Sequence, residues 1–225
     1  GHRVPLARRP RPRLVPVVSA PKVDGRLDEW PALPYVCPSP AQGPATDDAP
    51  RQAKWKGPDD TAVRFAVARA RAGDLSAAIE VTADSIRTVP GVDAWDQDGV
   101  AFGVDARPVA QWETSTQGRG VYLFASPGET LADTIVWGTQ WVPSGVEVAC
   151  VKTPKGYAFE ARIPGKHLSA EGGPAWEALR VYVSNYDFDE GEPAPGRGHT
   201  GTYINWMPAW DKDERLPGSG AFVRK

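Results

Sequence analysis

The sequence predicts an all-β protein, a β-sandwich or jelly roll of about ten antiparallel strands. Three observations carry this. Short runs in which large residues alternate with small or polar ones recur along the chain, as half-buried strands require. Pro and Gly are abundant, 23 of each in 225 residues, which suits many turns. Stretches with apolar residues at i, i+3 and i+4 are scarce, so strands are not expected to alternate with helices.

Residues 1–13 carry Arg3, Arg8, Arg9, Arg11 and Arg13 among prolines and read as a linker or solvated arm. Gly1-His2 reads as a cloning remnant, with any leader removed. Residues 14–225 read as one domain, a length that supports a single large core. Strands are expected at 15–18, 62–70, 75–82, 99–105, 120–125, 134–138, 146–152, 157–163, 179–185, 202–205 and 221–224. Residues 38–60, rich in Pro, Asp and Gly, read as a long loop. Ala72-Gly73-Asp74 joins the second and third of these strands, and Lys155-Gly156 turns a hairpin. A short helical turn is expected around 166–170, after Pro164.

Within the strands, Val100, Phe102 and Val104 share one face, and Gly99, Ala101 and Gly103 the other. Phe65 and Val67 alternate with Ala66 and Ala68 in the same way. The large residues are expected to fill the space between two sheets. The small ones leave a shallow outer face, either the floor of a ligand groove or a bed for a bulky neighbour such as a Trp. Packing is the favoured reading.

Composition narrows the function. The net charge of −2 gives no reason to expect nucleic acid as a partner, and no apolar run approaches the roughly 20 residues a membrane span needs. Cys37 and Cys150 either form one disulfide or stay as two buried thiols, and without a CxxC pair they do not suggest zinc. Nucleophile-elbow, P-loop and HExxH motifs are absent. His2, His167 and His199 have no partner at a recognisable spacing. A glycosidase carboxylate pair is defined by distance in space alone, but the reading is that the chain is not an enzyme.

Calcium needs only 6–8 oxygens gathered from loops. Asp93-Ala94-Trp95-Asp96-Gln97-Asp98-Gly99 offers such oxygens, though not as an EF-hand, because the first ligand position would fall on Ala94. Asp84, Asp93 and Asp96 are the candidate ligands for a structural calcium. Asp187-Phe188-Asp189-Glu190-Gly191 is a second acidic loop, read as an exposed turn.

The chain has nine tryptophans. A Trp within a strand is ordinarily core, whereas one in a polar loop forfeits the gain of burial. Trp95, between aspartates, and Trp210, before Asp211-Lys212-Asp213-Glu214-Arg215, are of the second kind. Indole faces stack on the C–H faces of pyranose rings, so both point to a sugar. The other seven are assigned to the core and its ends.

Several segments resemble one family. Pro21-Lys22-Val23-Asp24-Gly25-Arg26-Leu27-Asp28-Glu29-Trp30 is similar to the opening "IDGxLDExW" of the family 9 carbohydrate-binding modules and their wider DOMON-like relatives. Trp95-Asp96-Gln97-Asp98-Gly99-Val100 resembles the "WxxDSVE" segment, and Gly156-Tyr157-Ala158-Phe159-Glu160-Ala161-Arg162-Ile163-Pro164 the "GYxxExxIP" hairpin. Val183 to Asp187 and Trp206 to Phe222 fit the closing segments. The resemblance implies a secreted bacterial β-sandwich, often calcium-stabilised, in which two tryptophans sandwich a sugar; Trp95 and Trp210 fall on those positions. Asp98, Asn185 and Asp187 are the expected polar or calcium-linked support.

The implied partner is a mono-, oligo- or polysaccharide, the implied location secreted, periplasmic or cell-surface, and the chain would be one domain of a larger secreted protein. The opening motif reads as structural, with Trp30 over the sandwich end. One departure stands out: Ala101 occupies the position where sugar-binding members carry Glu. It motivates an alternative, a surface accessory or protein-interaction domain that keeps the fold without the sugar. A haem domain would need Met207, the only Met, as an axial ligand, and is the least favoured reading.

Overall fold

The structure, a computed structural model, describes residues 15–16, 21–37, 54–70, 73–108, 111, 120–173, 176, 178–189, 193–195, 201–206 and 221–223. Among them are two six-stranded sheets packed face to face. Sheet I runs in the order β1 (Val15–Pro16), β3 (Thr61–Arg69), β4 (Leu75–Ala83), β9 (Gly156–Ile163), β8 (Glu147–Thr153), with β2 (Tyr35–Cys37) also on β3. Sheet II runs β11 (Thr202–Trp206), β10 (Ala178–Asp187), β5 (Gly99–Asp105), β6 (Val121–Ser126), β7 (Ile135–Val136), with β12 (Ala221–Val223) also on β10. Every pairing is antiparallel except β1 with β3.

The expected sandwich is therefore the observed fold. Where described, the expected strands are present. β2 was not anticipated, because three residues are too few to show an alternating pattern. The expected helical turn is α1 (Gly165–Gly172). The hairpin between β8 and β9 pairs Thr153 with Gly156, so its two-residue turn is Pro154-Lys155, one residue earlier than expected.

The core lies between the sheets. Phe65, Val67, Ile79, Val81, Phe159 and Ile163 from sheet I meet Val100, Phe102, Val104, Leu123, Val183, Ile204 and Phe222 from sheet II. These are the large members of each alternating pair, as the pleat demands. Cys37 and Cys150 both lie in this core as free thiols. Burial raises the Cys37 thiol pKa to about 12 and pushes Cys150 up as well, so both are inert packing groups.

The small members face outward. On sheet I, Ala66, Ala68 and Ala78 form the bed of a second cluster, and Trp30 lies on them with Leu27 and Leu33. The expected position of Trp30 is corrected: it covers a sheet face, not an end. Its Nε1–H donates to Glu160 Oε1 at 2.9 Å, while the backbone N–H groups of Gly25 and Asp24 donate to Oε2 at 2.8 and 3.1 Å. Gly25 has φ +79°, and a Cβ there would sit 2.4 Å from Val151 Cγ2, so glycine is required twice over. The opening motif is a strap locked by one buried carboxylate.

Candidate functional site: an aromatic sheet face beside an acidic end

Trp95 sits in a 3-10 turn, Ala94–Asp96, just before β5. Asp93 caps the turn, its Oδ1 accepting from the Trp95 N–H at 3.0 Å. Gln97 is fully buried and staples the preceding loop: its Oε1 accepts from Val89 N at 2.7 Å and its Nε2 donates to Val92 O at 2.9 Å. Ser126 Oγ donates to Ala94 O at 3.2 Å, tying the turn to β6. The Trp95 indole is therefore pre-positioned, and it stays half-buried.

The outer face of sheet II surrounds it. Trp95 meets Tyr186, Trp137 and Phe124 at centroid distances of 5.7, 5.8 and 5.3 Å. Tyr186 packs edge-on against Phe124 and Tyr203. Gly103 pairs with Tyr182 on one side and Tyr122 on the other, and those two rings stack across it at 6.2 Å. Ala101 likewise lies between Ser184 and Phe124 and is fully buried. The favoured reading of the small outer residues, a bed for bulky neighbours, is what the structure has on both sheets.

Polar atoms punctuate this face. Ser184 Oγ donates to Asn205 Oδ1, and Tyr182 and Tyr186 bring their hydroxyls within 3.5 Å of each other. At the far end, Asp105 pairs across strands with Arg180 and also binds Arg107 at 2.9 Å, all three buried. Burial pushes the Asp105 carboxyl up, but hydrogen bonds from Arg107 and Arg180 outweigh it and hold the pKa below the ordinary value. By contrast, a groove of about 1000 Å³ over sheet I is lined by groups such as Arg26, Leu27, Glu80, Glu129 and Lys152, with no aromatic ring among them.

The remaining expected site residues are placed elsewhere. Asn185 and Asp187 have the opposite parity from Tyr182, Ser184 and Tyr186, and Asp98 from Gly99, Ala101 and Gly103, so all three point between the sheets. Asn185 accepts from the Tyr157 hydroxyl and donates to Thr61 Oγ1 at 2.8 Å. Asp98 accepts from the Phe188 and Arg87 backbone N–H groups at 2.6 and 2.5 Å. These three thus share one end of the interior, and none of them shares the face of Trp95.

At that end, carboxylate oxygens of Asp60, Asp187 and Asp189 lie within 4.8 Å of one another. Asp60 Oδ1 and Asp187 Oδ2 are buried with no hydrogen-bond partner. Lys56 Nζ reaches Asp60 at 3.6 Å and Asp189 at 3.4 Å. Burial raises Asp98 to about 7. Burial, then the charges of Asp98, Asp189, Asp60 and Asp84, raises Asp187 to about 9.

Asp84 is exposed, but its backbone N–H donates to Asp60 O at 3.0 Å and its charge acts on this cluster. Asp93 and Asp96 stay with the Trp95 turn, so the three aspartates expected to act together are divided between two neighbourhoods. The exposed-turn reading is corrected for Asp187 and Phe188, which are 2% and 3% exposed, because β10 runs on to Asp187 and carries it inward; Glu190 and Gly191 lie outside the described residues.

Trp210, Met207, Trp112, Glu190 and residues 1–13 lie outside the described residues. Of the tryptophans assigned to the core, Trp30 and Trp176 are buried, and Trp55, Trp137 and Trp206 are half-buried. Trp141 is not: it is 64% exposed.

Two solved structures from Caldicellulosiruptor kristjanssonii superpose on nearly the whole chain. One is a family 9 carbohydrate-binding module in complex with cellotriose, with a TM-score of 0.60, 17% identity, and coverage of 95% of this chain and 93% of that one. The other is a family 9 module in complex with glucose, with a TM-score of 0.59, the same identity, and coverage of 95% and 96%. The fold is that of a family 9 carbohydrate-binding module. No protein-family model matches the chain, and no curated protein matches it in sequence. No helix among the described residues is long and apolar enough to cross a membrane.

Proposed function

We propose that this family 9-like fold is a non-catalytic carbohydrate-binding domain, with Trp95 as the stacking face and Trp210 as the second indole of a clamp. The observation that carries the reading is the fixed, half-buried Trp95 on an aromatic sheet face. A stapled indole stacks a sugar ring without first losing its own rotamer freedom. The likeness to modules complexed with cellotriose and glucose supports the ligand class. The hydroxyls and amide of Tyr182, Tyr186, Ser184 and Asn205 on the same sheet face are buried and pair with one another, so the reading rests on the half-buried indole.

A glycan screen that includes glucose and cellotriose tests this. Binding is expected in the wild type, with a loss of about 100-fold or more in Trp95→Ala and Trp210→Ala, the order of a hot-spot aromatic. A folded wild type with no glycan hit overturns it. A stable complex in a pull-down would then favour the protein-interaction alternative, which the replacement of the expected acid by Ala101 motivates.

We further propose that Asp60, Asp187 and Asp189 hold a structural calcium, with Asp84 adding charge. The donor set fits a hard cation: Asp60 Oδ1 and Asp187 Oδ2 are buried without a hydrogen-bond partner, and the Lys56 ammonium 3.6 Å from Asp60 Oδ1 is the positive charge a cation would supplement. The pH dependence follows from the raised pKa values. Without a cation the folded state holds extra protons at Asp98 and Asp187. Their stabilisation is complete below the unfolded value of about 4 and is lost as the pH rises through about 7 and then about 9. Calcium needs the ionised carboxylates and counteracts that loss. In EDTA the Tm should fall between about pH 5 and pH 8.5, and calcium should raise it most at the alkaline end. A calcium effect that is absent or independent of pH would refute the site.

A further inference from the structure

Among the described residues, one exposed aromatic side chain stands outside the clamp. Among the described residues the large apolar side chains left exposed are Val36, Leu131 and Trp141, and Trp141 is the most exposed. It is nevertheless held firmly. It ends a 3-10 turn, Thr139–Trp141, its N–H donating to Gly138 O at 2.8 Å while Val142 N donates to Thr139 O at 3.2 Å. Gly138 is left-handed, with φ +61°, and a Cβ there would meet Trp141 Cε3 at 2.4 Å. The indole lies back against bare glycine backbone, and only glycine allows both the turn and the contact.

The ring is also joined to the candidate site. Trp141 packs on Trp137 with centroids 4.9 Å apart, and Trp137 packs on Trp95 at 5.8 Å. A path of aromatic rings thus leads from Tyr186 on the sheet face through Trp95 and Trp137 to an indole open to solvent. The exposed Thr139 and Gln140 stand beside it on the same turn, a polar rim of the kind sugar hydroxyls require. A pre-positioned exposed indole with a polar rim, two ring contacts beyond a stacking site, has the form of a further subsite.

We propose that Trp141 is a second stacking platform, taking a ring further along a carbohydrate chain whose first ring is held at Trp95. The site then selects an oligosaccharide over a single sugar. This rests on the sugar reading of Trp95 and adds chain-length preference to it.

Titration calorimetry with glucose, cellobiose and cellotriose on the wild type, Trp141→Ala and Trp95→Ala tests the proposal. Wild-type affinity should rise about tenfold or more from glucose to cellotriose, a stacking contribution of about 1.4 kcal/mol. Trp141→Ala should bind glucose as the wild type does, lose the rise, and keep its Tm, since the side chain is exposed. Trp141→Phe should keep part of the rise. Two results overturn the platform while leaving the sugar reading intact: a Trp141→Ala variant that retains the rise, or a wild type indifferent to chain length while Trp95→Ala still abolishes binding. A wild type that binds none of the three also overturns it, and the wider glycan screen then decides whether the sugar reading falls with it.

Discussion

Trp30 and Trp95 lie on opposite outer faces of the sandwich, each beside strand positions emptied of large side chains. On sheet I, Trp30 fills the bed of Ala66, Ala68 and Ala78, is 7% exposed, and has its indole N–H on the buried Glu160. On sheet II, Trp95 meets other rings at an angle, stays half-buried, and is held by the backbone of its own turn. One face is closed by a polar anchor, while the other keeps an indole within reach of solvent. Small outward residues in a strand therefore mark a place to be covered. What covers them, and how completely, decides between structure and recognition.

The largest effect should come from unlocking the closed face. Glu160→Ala removes the acceptor of three N–H donors, at a cost of about 3–5 kcal/mol once the stranded donors are counted. Trp30→Ala should cost a similar amount as a large-to-small core change. Urea denaturation measures both. A loss below about 1 kcal/mol in either would mean that the strap is an ornament on a self-sufficient sandwich.

The second effect sharpens the difference from the sugar-binding pattern. Ala101 is fully buried between Ser184 and Phe124. Restoring the acid with Ala101→Glu should destabilise by about 2–4 kcal/mol, because a carboxylate there is desolvated and displaces packed rings. A variant of wild-type stability with tighter glucose binding would show instead that the face has room for the usual acid.

Much of this was legible in the sequence. The alternation in residues 62–70 and 99–105 identified the inner and outer faces, because the pleat has a period of two. Polar residue types did not reveal partners. Asn185 looked like sugar support, yet its parity with Val183 turns it inward to Tyr157 and Thr61. Asp60 and Asp189 meet only through the stacking of two sheets, with 128 positions between them and no local signal. Glu160 could have been found: an acid among the apolar residues of a strand needs a buried partner. Trp141 resembled any other Trp near a strand, since exposure is a property of the tertiary structure.

The smallest effect on stability should be that of Trp95→Ala, and it completes the contrast. The Trp95 ring contributes half-buried contacts with Phe124, Trp137 and Tyr186, but the turn beneath it is held by Asp93, Gln97 and Ser126, which the substitution leaves in place. A loss of about 1–2 kcal/mol follows, against about 3–5 for Trp30→Ala. If recognition belongs to the open face, the two variants should trade places in a binding assay. Trp30→Ala should bind sugar normally in its folded fraction, and Trp95→Ala should fold and bind nothing. Equal losses of stability would mean that Trp95 is as structural as Trp30, and the division between closed and open faces would fail.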